Sequence, residues 1–442
     1  MSNSQPKIIV LDDDPTGSQT VHSCLLLMKW DVETLKIGLL DAVPIVFILT
    51  NTRAIAPNQA QQITVEVCQN LKQALRETQI DNYLVVSRSD STLRGHYPVE
   101  TDAIAKELGE FDAHFLTPAF FEGGRVTKNS IHYLLADGVL TPVHETEFAR
   151  DSVFAYSHSY LPEYVAEKTD QKILAQNVIK LSLEDLRGEN LSEQLLQLEN
   201  NQCVAVDGEV QADFDLFSQA ILAASSQGKK FLFRSAASLL TSLAQLGLQP
   251  IAATEMSAYK PTTKPGVILV GSHVNKTTRQ LNQLLKEKDL EGIEIDVVRL
   301  RDFPSQRDEM LAEALTKVNL SWQKSKTPVI YTSRKELDFN NIQQRLDFGV
   351  RVSSLLMDLV KGLPSEIAFL ISKGGITSND VLSDGLSLDT ARLLGQILPG
   401  VSVVRTAENH PHFPNLPVVL FPGNVGSDDD LVTSWQRLVG KA

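Results

Sequence analysis

Short runs rich in β-branched and aliphatic residues recur along the whole chain, each followed by a stretch with helical spacing, and this alternation limits the fold more than any other feature. Runs read as strands are Ile8–Leu11, Pro44–Thr50, Tyr83–Ser87, Ala113–Thr117, Cys203–Asp207, Phe231–Arg234, Val267–Gly271, Ile295–Leu300, Val329–Thr332, Ile367–Ser372, Val401–Val404 and Val418–Phe421. Between them, Asn58–Thr78 repeats Ile63, Val67, Leu71 and Leu75 at four-residue spacing, and Thr277–Lys288 and Asn341–Lys361 also read as helices. Strands alternating with helices predict an α/β fold of parallel or mixed sheets flanked by helices. A chain of 442 residues exceeds one ordinary core, so two domains are expected. Apolar periodicity stops at Ser257–Gly266, where Pro261 and Pro265 precede a new strand, which gives a first domain 1–256, a linker 257–265 and a second domain 266–442. Segment 137–180 is irregular and reads as an excursion, a lid or an interface within the first domain.

Net charge narrows the partners. A formal −13 disfavours nonspecific nucleic-acid binding and anionic membranes, yet leaves room for a local basic pocket. No stretch approaches the roughly 18 to 20 apolar residues of a membrane span, and Met1–Lys7 carries no apolar signal, so a cytoplasmic protein is expected. Cys24, Cys68 and Cys203 sit in apolar or helical runs without CxxC spacing and read as core residues. A homo-oligomer is left open.

Chemistry concentrates where strands end. Asp12, Asp13 and Asp14 close the first run and lead into Pro15-Thr16-Gly17. Three adjacent carboxylates repel one another unless cations or hydrogen-bond donors compensate, and ligands in open α/β sheets bind at such carboxyl ends. The corner suits a metal, a polyol or a solvated turn. A second block, Arg88-Ser89-Asp90-Ser91-Thr92-Leu93-Arg94-Gly95-His96, follows the strand ending near Ser87. Arg94 could grip a carboxylate or phosphate and Asp90 could accept from sugar hydroxyls, or the arginines could only neutralise the aspartates. A third block places Gly123-Gly124 beside Arg125, Lys128 and Asn129, a set suited to an acidic ligand or to a solvated hairpin. In the second half, Gly271-Ser272, Lys373-Gly374-Gly375-Ile376-Thr377 and Gly423-Asn424 end strands with glycine and small polar residues, as a phosphate site requires. Neither a Walker A loop nor a GxGxxG fingerprint occurs, and no GxSxG, HExxH or Cys-His arrangement supports hydrolysis by those routes.

Three of these stretches, Asp13-Asp14-Pro15-Thr16-Gly17, Asp90-Ser91-Thr92-Leu93-Arg94-Gly95 and Pro118-Ala119-Phe120 through Gly124-Arg125, resemble in kind and order the marks of the four-carbon acid sugar kinase family. The resemblance runs almost end to end. It implies a sugar-acid-binding first domain, an ATP-binding second domain and a site in the cleft between them. It also implies phosphorylation of a threonate- or erythronate-like hydroxyl with ATP and Mg²⁺, the metal ligands being unknown. Under it, Asp13 or Asp14 orients or deprotonates the hydroxyl. Arg88, Asp90, Ser91, Arg94, Arg125 and Asn129 bind substrate, and Ser272, Gly374, Gly375, Ile376, Thr377 and Gly423 contact nucleotide. This chain departs from the family pattern with Pro15 after the aspartate pair and Ile376 where many relatives carry an acid. Two other readings remain: a haloacid-dehalogenase-type phosphatase with Asp12 as nucleophile, Asp14 as acid and Lys373 and Asp428 in later motifs, and a noncatalytic sensor of sugar acids or nucleotides.

Overall fold

The computed structural model describes residues 5–136, 138–334, 337–339 and 341–441, and it divides into two compact units, 1–248 and 249–442. The division falls ahead of the expected linker 257–265. Ala253–Tyr259 is instead a 3₁₀ segment whose Met256 is fully buried in the core of the second unit.

The first unit carries β1 (Lys7–Asp12), β2 (Leu25–Leu27), β3 (Ile45–Leu49), β4 (Tyr83–Arg88), β5 (Ala113–Thr117), β6 (Arg125–Lys128), β7 (Ile131–Ala136), β8 (Val139–Pro142), β9 (Ile179–Leu181), β10 (Gln202–Val206) and β11 (Phe231–Ser235). All but β6, β7 and β8 pair in parallel, in the order β2-β3-β1-β4-β11-β5-β10-β9. The central strands are buried on both faces, which explains why they read as uninterrupted apolar runs. Val67, Leu71 and Leu75 of the helix Pro57–Thr78 pack on Ile9, Leu11, Val46 and Val85, as their spacing predicts. The side on which the chain adds strands switches at β1: β3 lies on one side of it and β4 on the other, all three parallel. The crevice that opens there, outside the carboxyl ends, is where such sheets hold ligands.

Strands β6, β7 and β8 form a separate antiparallel sheet, with Asn129 and Ser130 turning the β6–β7 hairpin in left-handed backbone. Within 137–180, whose first residue lies outside the described set, Val143, Ala149, Tyr156, Leu161 and Tyr164 build a core with Leu93, Tyr97 and Leu116. The irregular segment is thus a packed support beneath the Asp90–Gly95 loop.

The second unit carries β12 (Val267–Val270), β13 (Leu290–Ile295), β14 (Thr327–Thr332), β15 (Leu370–Lys373), β16 (Thr390–Leu398), β17 (Val401–Arg405) and β18 (Pro417–Phe421). Their order is β13-β14-β12-β15-β18-β17-β16, parallel through β18 and antiparallel beyond it. The run Ile295–Leu300, expected as a strand, is corrected: the strand ends at Ile295 and Val297–Asp302 is helical. Asp296 decides this, because its carboxylate accepts from Val298 N at 2.9 Å and Arg299 N at 3.1 Å and so starts a helix in spite of the β-branched residues that follow.

Candidate active site

Asp14-Pro15-Thr16-Gly17 turns sharply after β1: Gly17 N donates to Asp14 O at 2.9 Å, and Thr16 N donates to Asp14 Oδ1 at 2.8 Å. The same local logic recurs after the neighbouring β4, where Thr92 N donates to Asp90 Oδ2 at 3.1 Å and the Thr92 hydroxyl donates to the same oxygen. Each Asp-x-Thr turn fixes one carboxylate oxygen by its own backbone. The other oxygens, Asp14 Oδ2 and Asp90 Oδ1, meet a single guanidinium: Arg53 Nη2 stands 3.2 Å from Asp14 Oδ2 and 2.7 Å from Asp13 Oδ1, and Nη1 stands 3.4 Å from Asp90 Oδ1.

Depth separates the three aspartates of the opening run. Asp12 is fully buried beneath Gly17, where a β-carbon would lie 2.1 Å from Oδ1, so that no larger residue fits. Its Oδ1 lies 3.4 Å from Arg88 Nη1 and its Oδ2 has no hydrogen-bond partner. Burial, reinforced by the charges of Asp13 and Asp14 against that of Arg88, pushes its carboxyl up to about 7. Asp13 is 2% exposed and accepts from the Ser89 hydroxyl as well as from Arg53. Asp14 is 25% exposed; burial pushes its carboxyl up, but Arg53, Arg88 and the Thr16 hydrogen bonds outweigh that and hold it below the usual range. Asp90 is held well below the usual range in the same way, by Arg53 and Arg94 against burial.

The predicted arginines divide in the same manner. Arg88 is buried and spends its charge on Asp12 and Asp13. Arg94 Nε lies 2.9 Å from Asp90 Oδ2 and Nη1 lies 3.6 Å from Asp151, with the Phe148 ring 5.0 Å away. Arg125 differs from both. Its Nη1 donates to the Gly123 carbonyl, its buried Nε has no partner, and among the described residues no carboxylate lies within ion-pair distance. Burial, countered by the charge of Asp90 and aided by that of Arg94, lowers its pKa. Ser91 offers its carbonyl to His132 Nε2 at 2.7 Å. Asn129 stands apart, exposed at the hairpin turn.

Several participants carried no sequence signal strong enough to mark them. Arg53 follows β3 in a plain Asn51-Thr52-Arg53 turn, and Arg234, buried at the end of β11, donates to Arg94 O at 2.8 Å. Glu100 opens the helix Val99–Leu108 as a buried acid that accepts from Thr52; burial and the Asp13 charge push it up.

In the second unit, β14, β12, β15 and β18 run parallel side by side, so the residues that follow them line one sheet edge. Ser272 N donates to Lys373 O at 3.2 Å, Gly374 N donates to Phe421 O at 2.8 Å, and Thr277 Oγ1 donates to Gly423 O at 3.0 Å, joining three of the predicted corners. Gly374 has φ 126°, a conformation left to glycine, and a β-carbon at Gly375 would meet open space. Thr377 is buried, whereas Ile376 is 71% exposed. Lys373, fully buried, donates to the Pro422 carbonyl and lies 4.1 Å from the Phe421 ring; burial and the charge of Lys276 push it down to about 7.

Among the described residues, no group of three His, Cys, Asp or Glu side chains is placed to hold a metal, and no helix is long and apolar enough to cross a membrane. Cys24, Cys68 and Cys203 are all buried, as expected of core residues.

One unit thus presents an acid-and-arginine corner for a small polar ligand, and the other a glycine-lined edge of the kind that admits phosphates. Residues 8–243 match a sugar-binding N-terminal domain and residues 267–431 a nucleotide-binding C-terminal domain. The chain belongs to the four-carbon acid sugar kinase family. A D-erythronate kinase of Heliobacterium modesticaldum is 26% identical over 176 residues, which are 38% of this chain and 37% of that protein, so the match spans little more than a third of the relative. Two solved structures share the fold over nearly the full length. A Haemophilus influenzae protein of the former domain-of-unknown-function family has TM-score 0.68, 18% identity and coverage of 97% of this chain and all (100%) of that one. A Salmonella typhimurium LT2 protein described as a candidate tRNA synthase has TM-score 0.70, 19% identity and coverage of 97% and 98%.

Proposed function

We propose that this chain is a kinase that moves the terminal phosphoryl group of ATP to a hydroxyl of a small sugar acid, threonate- or erythronate-like. The observation that carries this reading is Arg125. Asp12, Asp13, Asp14 and Asp90 are answered by Arg53, Arg88 and Arg94, while Arg125, which feels the charges of Asp90 and Arg94, has no carboxylate within ion-pair distance among the described residues. A substrate carboxylate would supply one, with Arg94 as second donor. Asp90 then accepts from a substrate hydroxyl, and Asp14, ionised and the most exposed of the opening triplet, orients the attacking hydroxyl. That oxygen forms the new bond to the γ-phosphorus, the bond to the ADP oxygen breaks, and the hydroxyl proton passes to the Asp14 carboxylate. Ser272, Gly374, Gly375, Thr377 and Gly423 hold the phosphates, and Mg²⁺ carried on the phosphates would neutralise charge there.

The phosphatase reading needs Asp12 to attack phosphorus. Asp12 is sealed under Gly17 and its raised pKa leaves it partly protonated near neutrality, both unfavourable for a nucleophile. The test is a panel of four-carbon and related sugar acids with ATP and Mg²⁺, read by ADP formation. Turnover with acids and not with the matching neutral polyols is expected. Ligand binding without ADP would favour a sensor, and phosphate release from phosphorylated acids without ATP would favour a phosphatase.

A further inference from the structure

Arg334, two residues past β14, stands at the same sheet edge as Ser272 and went unmarked in the sequence. Its Nη2 donates to Ser272 O at 2.7 Å and to Thr278 Oγ1 at 3.0 Å, and Nε lies 3.3 Å from Thr278 Oγ1. Nη1 is buried with no hydrogen-bond partner, although the side chain as a whole remains partly exposed. Among the described residues no carboxylate lies within ion-pair distance of it, and burial alone lowers its pKa. Several other arginines of this unit are matched by carboxylates: Arg279 by Asp428 at 2.9 Å, Arg299 by Glu309 at 3.0 Å and Glu313 at 2.9 Å, and Arg307 by Asp358. Arg437, whose Nε is also buried without a partner, follows no strand end and donates to the Ile397 carbonyl. A buried guanidinium nitrogen without an acceptor costs stability unless a ligand completes it.

We propose that Arg334 is a polyphosphate-binding residue of the nucleotide site, its Nη1 donating to a phosphate oxygen while Nη2 keeps the Ser272 carbonyl in place. This rests on the reading that the second unit binds nucleotide. An arginine suits the task because its planar fork can hold a backbone carbonyl with one nitrogen and an anion with the other, which a lysine ammonium does less rigidly. Lys276 Nζ donates to Gly426 O at 3.0 Å and the buried Lys373 donates to the Pro422 carbonyl within the unit.

The experiment is calorimetric titration of the full chain with ADP and, separately, with adenosine, for the parent, Arg334→Gln and Arg334→Lys. Arg334→Gln is expected to bind ADP roughly ten- to hundredfold more weakly, the loss of one charge-assisted hydrogen bond, with adenosine affinity unchanged and Arg334→Lys intermediate. If Arg334→Gln fails to fold, Arg334→Lys carries the test with the same selective loss for ADP. Equal weakening toward ADP and adenosine would make Arg334 only a prop for the Ser272 corner and overturn the proposal. So would unchanged ADP affinity in a parent that binds ADP. A parent that binds neither ADP nor adenosine would instead remove the nucleotide reading itself, and this inference with it.

Discussion

Replacing Arg53 by methionine keeps much of the side-chain volume and removes the charge that joins Asp13, Asp14 and Asp90. Arg53 is 18% exposed and its partners are 2%, 25% and 13% exposed, so solvent screens these contacts poorly. Removing one partner of a buried ion pair costs about 3–5 kcal/mol, because the remaining charge stays desolvated. Against a domain stability of about 5–15 kcal/mol, the variant should still fold but with much of its margin gone. The pH dependence identifies the cause. In the parent, the depressed carboxyls of Asp14 and Asp90 contribute stability that is present above the unfolded carboxylate pKa of about 3.9 and is lost as pH falls through their lower folded values. Without Arg53 those folded pKa values rise, so acidification relieves the variant before it harms the parent. Urea unfolding should therefore show a gap near the full figure at neutral pH that narrows as pH falls toward about 4. A gap below about 1 kcal/mol, within the range of exposed pairs, or one that does not change with pH, would refute the claim that Arg53 binds the corner electrostatically.

Asp12→Asn tests a contribution of opposite sign. Because the Asp12 carboxyl is raised to about 7, its neutral form favours folding below the unfolded value and that advantage is lost as pH rises through about 7. The parent should lose stability between about pH 4 and 8 and the asparagine variant should lose less; parallel curves from denaturant melts would count against the burial argument. Arg125→Gln should raise KM for the sugar acid about ten- to hundredfold while leaving nucleotide affinity alone. Steady-state kinetics with unchanged KM would shift the anchor to Arg94.

The sheet was readable because central parallel strands are buried on both faces and leave unbroken apolar runs, as at Ile8–Leu11 and Phe231–Arg234. Short or half-exposed strands such as Leu25–Leu27, Ile179–Leu181 and the antiparallel Thr390–Leu398 left no such mark. Val297–Asp302 misled because propensity favours a strand there while one capping carboxylate outweighs it. For the site, the polar blocks after β1 and β4 stood out because charge follows directly upon a hydrophobic strand. Arg53, Arg234, Glu100 and Arg334 did not, being single charged residues in ordinary surroundings that only the strand order assembles. Ile376, which the motif comparison singled out, proved to be an exposed aliphatic in the helix that follows β15.

Two tyrosine hydroxyls from the irregular segment hold the Asp90–Gly95 loop by its backbone: Tyr156 donates to Thr92 O at 2.7 Å and Tyr164 to Leu93 O at 2.8 Å. Leu93, with φ 66°, is thereby kept in a conformation its side chain disfavours. The loop leaves the sheet at the end of β4, but its curvature is dictated from outside the sheet. Changes around Val143–Lys168 can therefore reshape the loop that carries Asp90 and Arg94 while both residues stay as they are.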